Sequence, residues 1–138
     1  MKELEIEALV ENLMPVLDFV DKQLQEAECP TKIQMQIDLA VEEIFVNIAN
    51  YAYNPKTGPA TVRVEILPEP PSVDITFIDN GIPYDPLSKA DPDTTLSAKE
   101  RQVGGLGIFM AKKTMDDMKY EYIDGHNILT LKKGLVIR

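Results

Sequence analysis

In the first residues, "ELEIEAL", apolar Leu4, Ile6 and Ala8 alternate with glutamates, which is the period of a strand with one buried face. From Asn12 the period lengthens. Leu13, Leu17, Val20 and Leu24 fall on one helical face, with Asn12 placed to cap it. "AECPTK" ends that helix, and Thr31 stands where a second, longer helix would be capped. The apolar stripe of this second helix is Ile33, Ile37, Val41, Ile44 and Ile48, and "NPKTGP" forms a turn after it. The alternating pattern returns in "ATVRVEIL" and "SVDITFID", split by "PEPP", and predicts a hairpin with a stiff connection. Next comes "NGIPYDPLSKADPDTTLSAKERQVGG", which has no convincing period. Stretches of that length inside a compact domain are uncommon and are usually functional lids or disordered. A helix follows from roughly Leu106 to Asp117, with Phe109, Met110 and Met115 assigned to the core. Two strands, "KYEYID" and "NILTLKK", close the chain around a turn at Gly125.

The order β-α-α-β-β-loop-α-β-β predicts an α+β fold, a two-layer α/β sandwich whose mixed, mostly antiparallel sheet carries its helices on one face. Residues 1–138 are read as a single domain without repeats. Charge narrows the range of partners. A formal net charge of −9 argues against nucleic acid and anionic membrane, which both require a basic face. A small anion held locally by backbone amides remains compatible with it. Cys29 is the only cysteine and His126 the only histidine, which disfavours an internal disulfide and a zinc site. The opening "MKELEIEALVENLMPV" lacks the continuous apolar run of a signal peptide, and no stretch is long enough for a membrane span. A cytoplasmic protein is expected.

Three stretches carry candidate chemistry. In "VEEIFVNIANYAY", Glu43 and Asn47 are four residues apart and stand one helical turn from each other, at the rim of the Ile44/Ile48 stripe. A carboxamide oxygen there suits a hard cation such as Mg²⁺, and a carboxylate can accept a proton beside it. The plain alternative is the polar flank of an amphipathic helix. In "ITFIDNGIPYDP", an apolar strand ends at Asp79, with Gly81 in the turn. A carboxylate at a strand end can accept from an exocyclic amine, and a glycine lets a flat ring approach the backbone. The same residues also simply end strands. In "VGGLGIFMAKKTMDDM", Gly104, Gly105 and Gly107 crowd a helix entrance, where unpaired amides and the helix dipole favour phosphate; a hinge is the plain alternative. Lys99, Arg101, Lys112 and Lys113 flank this entrance, as solvated lysines on a helix surface also would.

Taken in order, the three stretches resemble the GHKL, or Bergerat, ATP-binding superfamily, and within it the bacterial anti-sigma-factor serine kinases of partner-switching pathways. "VEEIFVNIANYAY" resembles the N box, "DNGIPYDP" the first glycine box, with Tyr84, Asp85 and Pro86, and "GGLGIFMAKKTMDDMKYEY" the second with its helix. The resemblance implies ATP and Mg²⁺ as cofactors. Asn47 would coordinate the metal, Asp79 would take the adenine amino group, and Gly81 would make room for the ring. Gly104, Gly105, Leu106, Gly107 and Ile108 would bring amides to the phosphates. Glu43 would be the general base, and the segment from Pro86 to Val103 the ATP lid. The chain departs from the pattern at Tyr51, where a histidine is frequent, and at "DGHN", where a Gly-Thr pair is frequent, so that Asn127 or His126 would have to substitute.

The implied function is a Mg·ATP-dependent serine protein kinase acting as an anti-sigma regulatory factor. Its implied partners are a STAS-type anti-anti-sigma protein, phosphorylated on serine, and a sigma factor or other regulator that it holds. Relatives of this kind are often dimers, so self-association is a further expectation. One rival is a nucleotide-gated binding module without kinase activity; the presence of Glu43 leans towards catalysis. Another rival, the ATP domain of a histidine kinase, is disfavoured because no dimerising helical hairpin precedes the N box and the single histidine lies in a late turn.

Overall fold

The computed structural model describes residues 1–88 and 105–137. Five strands form one sheet: β1 (Lys2–Glu7), β2 (Pro59–Pro68), β3 (Pro71–Asp79), β4 (Asp117–Ile123) and β5 (His126–Gly134). Their order is β1-β2-β3-β5-β4, and every neighbouring pair is antiparallel. Three helices accompany them: α1 (Leu13–Glu26), α2 (Thr31–Tyr51) and α3 (Gly105–Thr114). This is the α+β architecture that the periodicity predicts.

Strand alternation decides which sheet face is covered. Val62 and Val64 of β2, Val73, Ile75 and Phe77 of β3, and Leu129 and Leu131 of β5 are all buried. The register sets Val62 opposite Phe77 and Phe77 opposite Leu129, so these side chains make one apolar layer. Against it lie Ile33, Ile37, Val41 and Ile44 of α2, and Val16, Val20 and Leu24 of α1. Each such side chain contributes about 1.5–3 kcal/mol on burial. Arg63, Asp74, Thr76, Thr130 and Lys132 occupy the alternate positions, on the opposite sheet face. Of the described helices, none is long and apolar enough to cross a membrane.

Several local expectations are corrected. Asn12 does not cap α1 with its side chain. It closes a 3-10 turn at Val10–Asn12 and donates Nδ2 to the carbonyl of Glu7 at 2.9 Å. Thr31 is the first residue inside α2, after Pro30, whose fixed φ already suits a helix entrance. The third helix ends at Thr114, and β4 starts at Asp117, where the predicted helix was to end. Among the residues assigned to the core, Met115 is buried, but Met110 is 52% exposed. Phe109 is only half-buried and carries the Lys113 ammonium 5.2 Å from its ring centre. The core takes only the face of this helix that carries Ile108 and Ala111 and continues into Met115, so its apolar run is not covered all round.

The turns follow their residue chemistry. Asp124 and Gly125 both have positive φ, 52° and 81°, as the tight β4–β5 hairpin demands. Pro68 pairs with Pro71 across the two-residue Glu69–Pro70 link, whose peptide bond is cis.

Candidate functional site

The C-terminal end of α2, the end of β3 and the start of β5 line an open-mouthed cleft. Its floor is apolar, from Ile44, Ile48, Phe77 and Leu129. Polar groups converge there from separate elements: Asn47 from α2, Asp79 from β3, and Tyr120 and Asn127 from β4 and β5. Asn47 and Asp79 stand 32 residues apart in the chain and meet because α2 crosses the sheet.

Asp79 is 5% exposed. Alternation places it on the core face, two residues beyond Phe77, where the sheet gives way to the cleft. Its Oδ1 accepts from the Gly81 amide at 2.8 Å and from Asn127 Nδ2 at 2.9 Å. Among the described residues, both donors to this carboxylate go to Oδ1 and none goes to Oδ2. Gly81 is required by the protein itself: a Cβ there would stand 2.2 Å from the Ala52 carbonyl oxygen. The Ile82 amide donates to that same oxygen at 3.0 Å, which joins the turn after β3 to the end of α2. Tyr53 adds a second tie. Its hydroxyl donates to the Pro59 carbonyl at 2.6 Å and accepts from the Asn80 amide at 2.8 Å.

Glu43 is half-buried, one turn before Asn47. Burial, and then the neighbouring Glu42 charge, push its carboxyl above the usual carboxylate range, which suits a group that must accept a proton near neutral pH. A Cβ on Gly107 would lie 1.9 Å from the Glu43 carboxyl carbon. The second glycine stretch therefore meets the N-box helix through Gly107, and the missing side chain is what lets the Glu43 carboxylate lie there. Neither residue lines the cleft itself. Ile108 is buried among the core residues, so only its backbone could face a ligand. Gly105 and Leu106 belong to the first turn of α3. Gly104, the flanking Lys99 and Arg101, and the expected lid beyond Ser88 lie outside the described residues.

His126 and Asn127 resolve differently. Asn127 is 7% exposed and lies opposite Asp79 in the strand register. His126 points elsewhere and contacts Asn80 through Nδ1 and Oδ1. Tyr120 and Tyr84 also belong to this region, although the sequence reading gave Tyr120 no role. A usable signal did exist. Asn127 shares its parity with Leu129 and Leu131, so a polar side chain was due on an apolar face. Among the described residues, no group of three or more His, Cys, Asp or Glu could hold a metal. A hard cation would therefore rest on the Asn47 oxygen and on the phosphates of a bound nucleotide.

A fold of three helices on an antiparallel sheet, with a cleft joining an Asn from the long helix to an Asp at a strand end, defines a class of nucleotide-binding domain. Comparison with known proteins agrees. Residues 6–133 match the model of the histidine kinase-like ATPase domain family, and the chain belongs to that family of GHKL-type ATPases. It is 29% identical over 100 residues to the serine/threonine-protein kinase BtrW of Bordetella bronchiseptica, covering 72% of this chain and 70% of that protein. It is 26% identical over 100 residues to the serine-protein kinase RsbW of Listeria monocytogenes, covering 70% of this chain and 63% of that protein, just under two thirds of its length. The fold resembles the histidine kinase AdeS of Acinetobacter baumannii, with a TM-score of 0.55 at 11% identity over 99% of this chain and 70% of that one. It also resembles the histidine kinase domain of a blue-light activated kinase of Erythrobacter litoralis, with a TM-score of 0.54 at 17% identity over 77% of this chain and 46% of that one.

Proposed function

We propose that this protein is a Mg·ATP-dependent serine protein kinase and anti-sigma regulatory factor, acting within one ATP-binding domain. Its substrate would be a serine of a STAS-type anti-anti-sigma partner, and it would hold a sigma factor or comparable regulator. The observation that carries the reading is that Asn47 and Asp79 line one cleft, with the Glu43–Gly107 contact one helical turn back along α2. The names of the serine kinases BtrW and RsbW support it.

The residues present fit Mg·ATP. Asp79 has one oxygen taken by two protein donors and the other without a donor among the described residues, as an exocyclic amine requires. The apolar floor suits a flat ring, and Asn47 offers a neutral oxygen to a hard cation. When bound, Mg·ATP supplies the phosphoryl group and neutralises the charge that develops during transfer. The chain positions the reactants: Asp79 orients the base, Asn47 the metal-bearing end, and amides at the start of α3 the phosphates. Glu43, with its raised pKa, takes the hydroxyl proton of the attacking serine.

The test is direct. The purified protein is used to capture its partners, and γ-labelled ATP is then added with Mg²⁺. Label on a serine of a small captured protein is expected. If no partner is labelled under any nucleotide condition while nucleotide still binds, the protein is a nucleotide-gated binding module.

A further inference from the structure

Asn127 has every hydrogen-bonding position of its carboxamide in use. Its Oδ1 accepts from the Tyr84 amide at 3.1 Å and from the Tyr120 hydroxyl at 2.5 Å. Its Nδ2 donates to the Ile82 carbonyl at 2.8 Å and to Asp79 Oδ1 at 2.9 Å. These partners allow only one orientation. A backbone N–H can only donate, so Oδ1 must face Tyr84, and a backbone carbonyl can only accept, so Nδ2 must face Ile82. The amide is therefore obliged to present a donor to Asp79. Burial, the largest influence on it, pushes the Tyr120 phenol up, which keeps its hydroxyl a neutral donor at ordinary pH.

Asp79 Oδ1 thus takes two N–H donors, one from Gly81 and one from Asn127. The two donors fix the plane of the carboxylate and occupy Oδ1, so that Oδ2 is the oxygen presented as an acceptor. An acceptor at that point attracts the 6-amino group of adenine and repels the 6-oxo group of guanine. The discrimination comes from Asp79, but its direction is set by the residues behind it.

We propose that Asn127 and Tyr120 are positioning residues for base recognition, in which the Tyr120 hydroxyl steadies the Asn127 carboxamide that the Tyr84 amide and the Ile82 carbonyl orient, and that carboxamide holds Asp79 ready for a 6-aminopurine. The inference rests on the reading of the cleft as a nucleotide site. It assigns to this chain a Tyr–Asn–Asp chain of hydrogen bonds that joins three strands and the turn after β3.

The test compares ATP with purine riboside triphosphate, which lacks only the 6-amino group, and with GTP, by calorimetry on the whole protein with Mg²⁺. A hydrogen bond to a charged acceptor makes ATP bind tighter than the 6-deamino analogue by about 10- to 100-fold in the parent. Asn127→Ala should reduce that ratio to within about threefold of unity, and Tyr120→Phe should lower it part of the way. Both should leave affinity for the 6-deamino analogue nearly unchanged, because it makes no use of Asp79. A merely structural role would weaken both nucleotides together. Asn127→Thr, which returns a donor hydroxyl, should recover part of the ratio. Thermal melting identifies any variant that fails to fold, and Tyr120→Phe, which only removes a hydroxyl at a half-buried site, carries the test if Asn127→Ala does not fold. A folded Tyr120→Phe with the parental ratio and a folded Asn127→Ala with the parental ratio would overturn the proposal. So would a parent that binds both triphosphates equally, which would leave the nucleotide site itself standing. A parent that binds no adenine nucleotide would overturn the function and this inference together.

Discussion

Glu43 and Gly107 come into close contact although they stand 64 positions apart in the chain. In the sequence, Gly107 reads as room for a phosphate. In the structure, the space it leaves is taken by the Glu43 carboxyl group. Two predictions separate catalysis from folding at this contact. Glu43→Gln keeps the shape and a hydrogen-bonding head but removes the base. It should bind ATP within a few-fold of the parent and phosphorylate the partner more slowly by about 10²–10⁴, as single-turnover kinetics would measure. Parental turnover would place the base elsewhere, or mean that the step needs none. Gly107→Ala adds a methyl group where the carboxylate lies. The carboxylate is the end of a flexible side chain and can move aside, and Ala is favoured over Gly in a helix by about 1 kcal/mol. Denaturant unfolding should therefore show nearly parental stability, while phosphorylation falls as it does in Glu43→Gln. The double variant should be no slower than the worse single one, because both act on the same group.

Between helices, α1 and α2 face each other with Asp21 and Asp38, and the Oδ1 atom of each is buried without a hydrogen-bond partner. No cation among the described residues pairs with either. Burial, then the facing Asp21 carboxyl, push the Asp38 carboxyl up to about 8. Cys29, in the connection between the two helices, is raised by burial and then by these two carboxylates, so its thiol should react slowly with alkylating agents at neutral pH. The sign for stability follows from proton counting. The folded Asp38 keeps its proton to a higher pH than the unfolded one, so its contribution is fully present below about pH 4 and is lost as pH rises through about 8. Asp38→Asn removes the titration. Urea midpoints across pH 5 to 9 should show the variant gaining on the parent as pH rises and levelling off above about 8; a constant difference across that range would sink the assignment. Periodicity identifies the face a residue occupies on its own helix but not what the neighbouring helix brings opposite it.

At the scale of the whole molecule, a chain of net charge −9 would have to take the proposed polyanionic nucleotide through a local site, where a metal would offset part of the repulsion. Mg²⁺ lowers the charge of the ligand and is expected to reach the protein through Asn47. Ligand that binds only the folded state raises the melting temperature by mass action. ATP should therefore raise it, and Mg²⁺ should enlarge the rise. Asn47→Ala should lose the Mg²⁺-dependent part and keep the remainder, which rests on Asp79 and the apolar floor. Scanning calorimetry with ATP, with and without the metal, measures both parts. An Asn47→Ala protein with the full Mg²⁺ effect would remove the metal role from this residue.

The amino-acid sequence by itself determined the elements and their layers. Alternation along the strands and the 3.6-residue stripes of α1 and α2 mark one buried face each, and elements with one apolar face have few ways to cover it. It also carried the family, and it marked Glu43, Asn47, Asp79 and the glycines as candidates, because those motifs are local spacings within single elements. Helix ends were less legible. Asn12 and Thr31 have capping side chains, but Asn12 found a carbonyl partner in the preceding strand and Pro30 already set the entrance of α2. Only the tertiary structure decided the rest: that Gly81 is required by the Ala52 carbonyl, that Gly107 accommodates Glu43, and that Asn127 rather than His126 stands behind Asp79. Each of these is a contact between segments far apart in the chain. Their positions depend on strand register and on how α2 and α3 cross the sheet, quantities that no local spacing encodes.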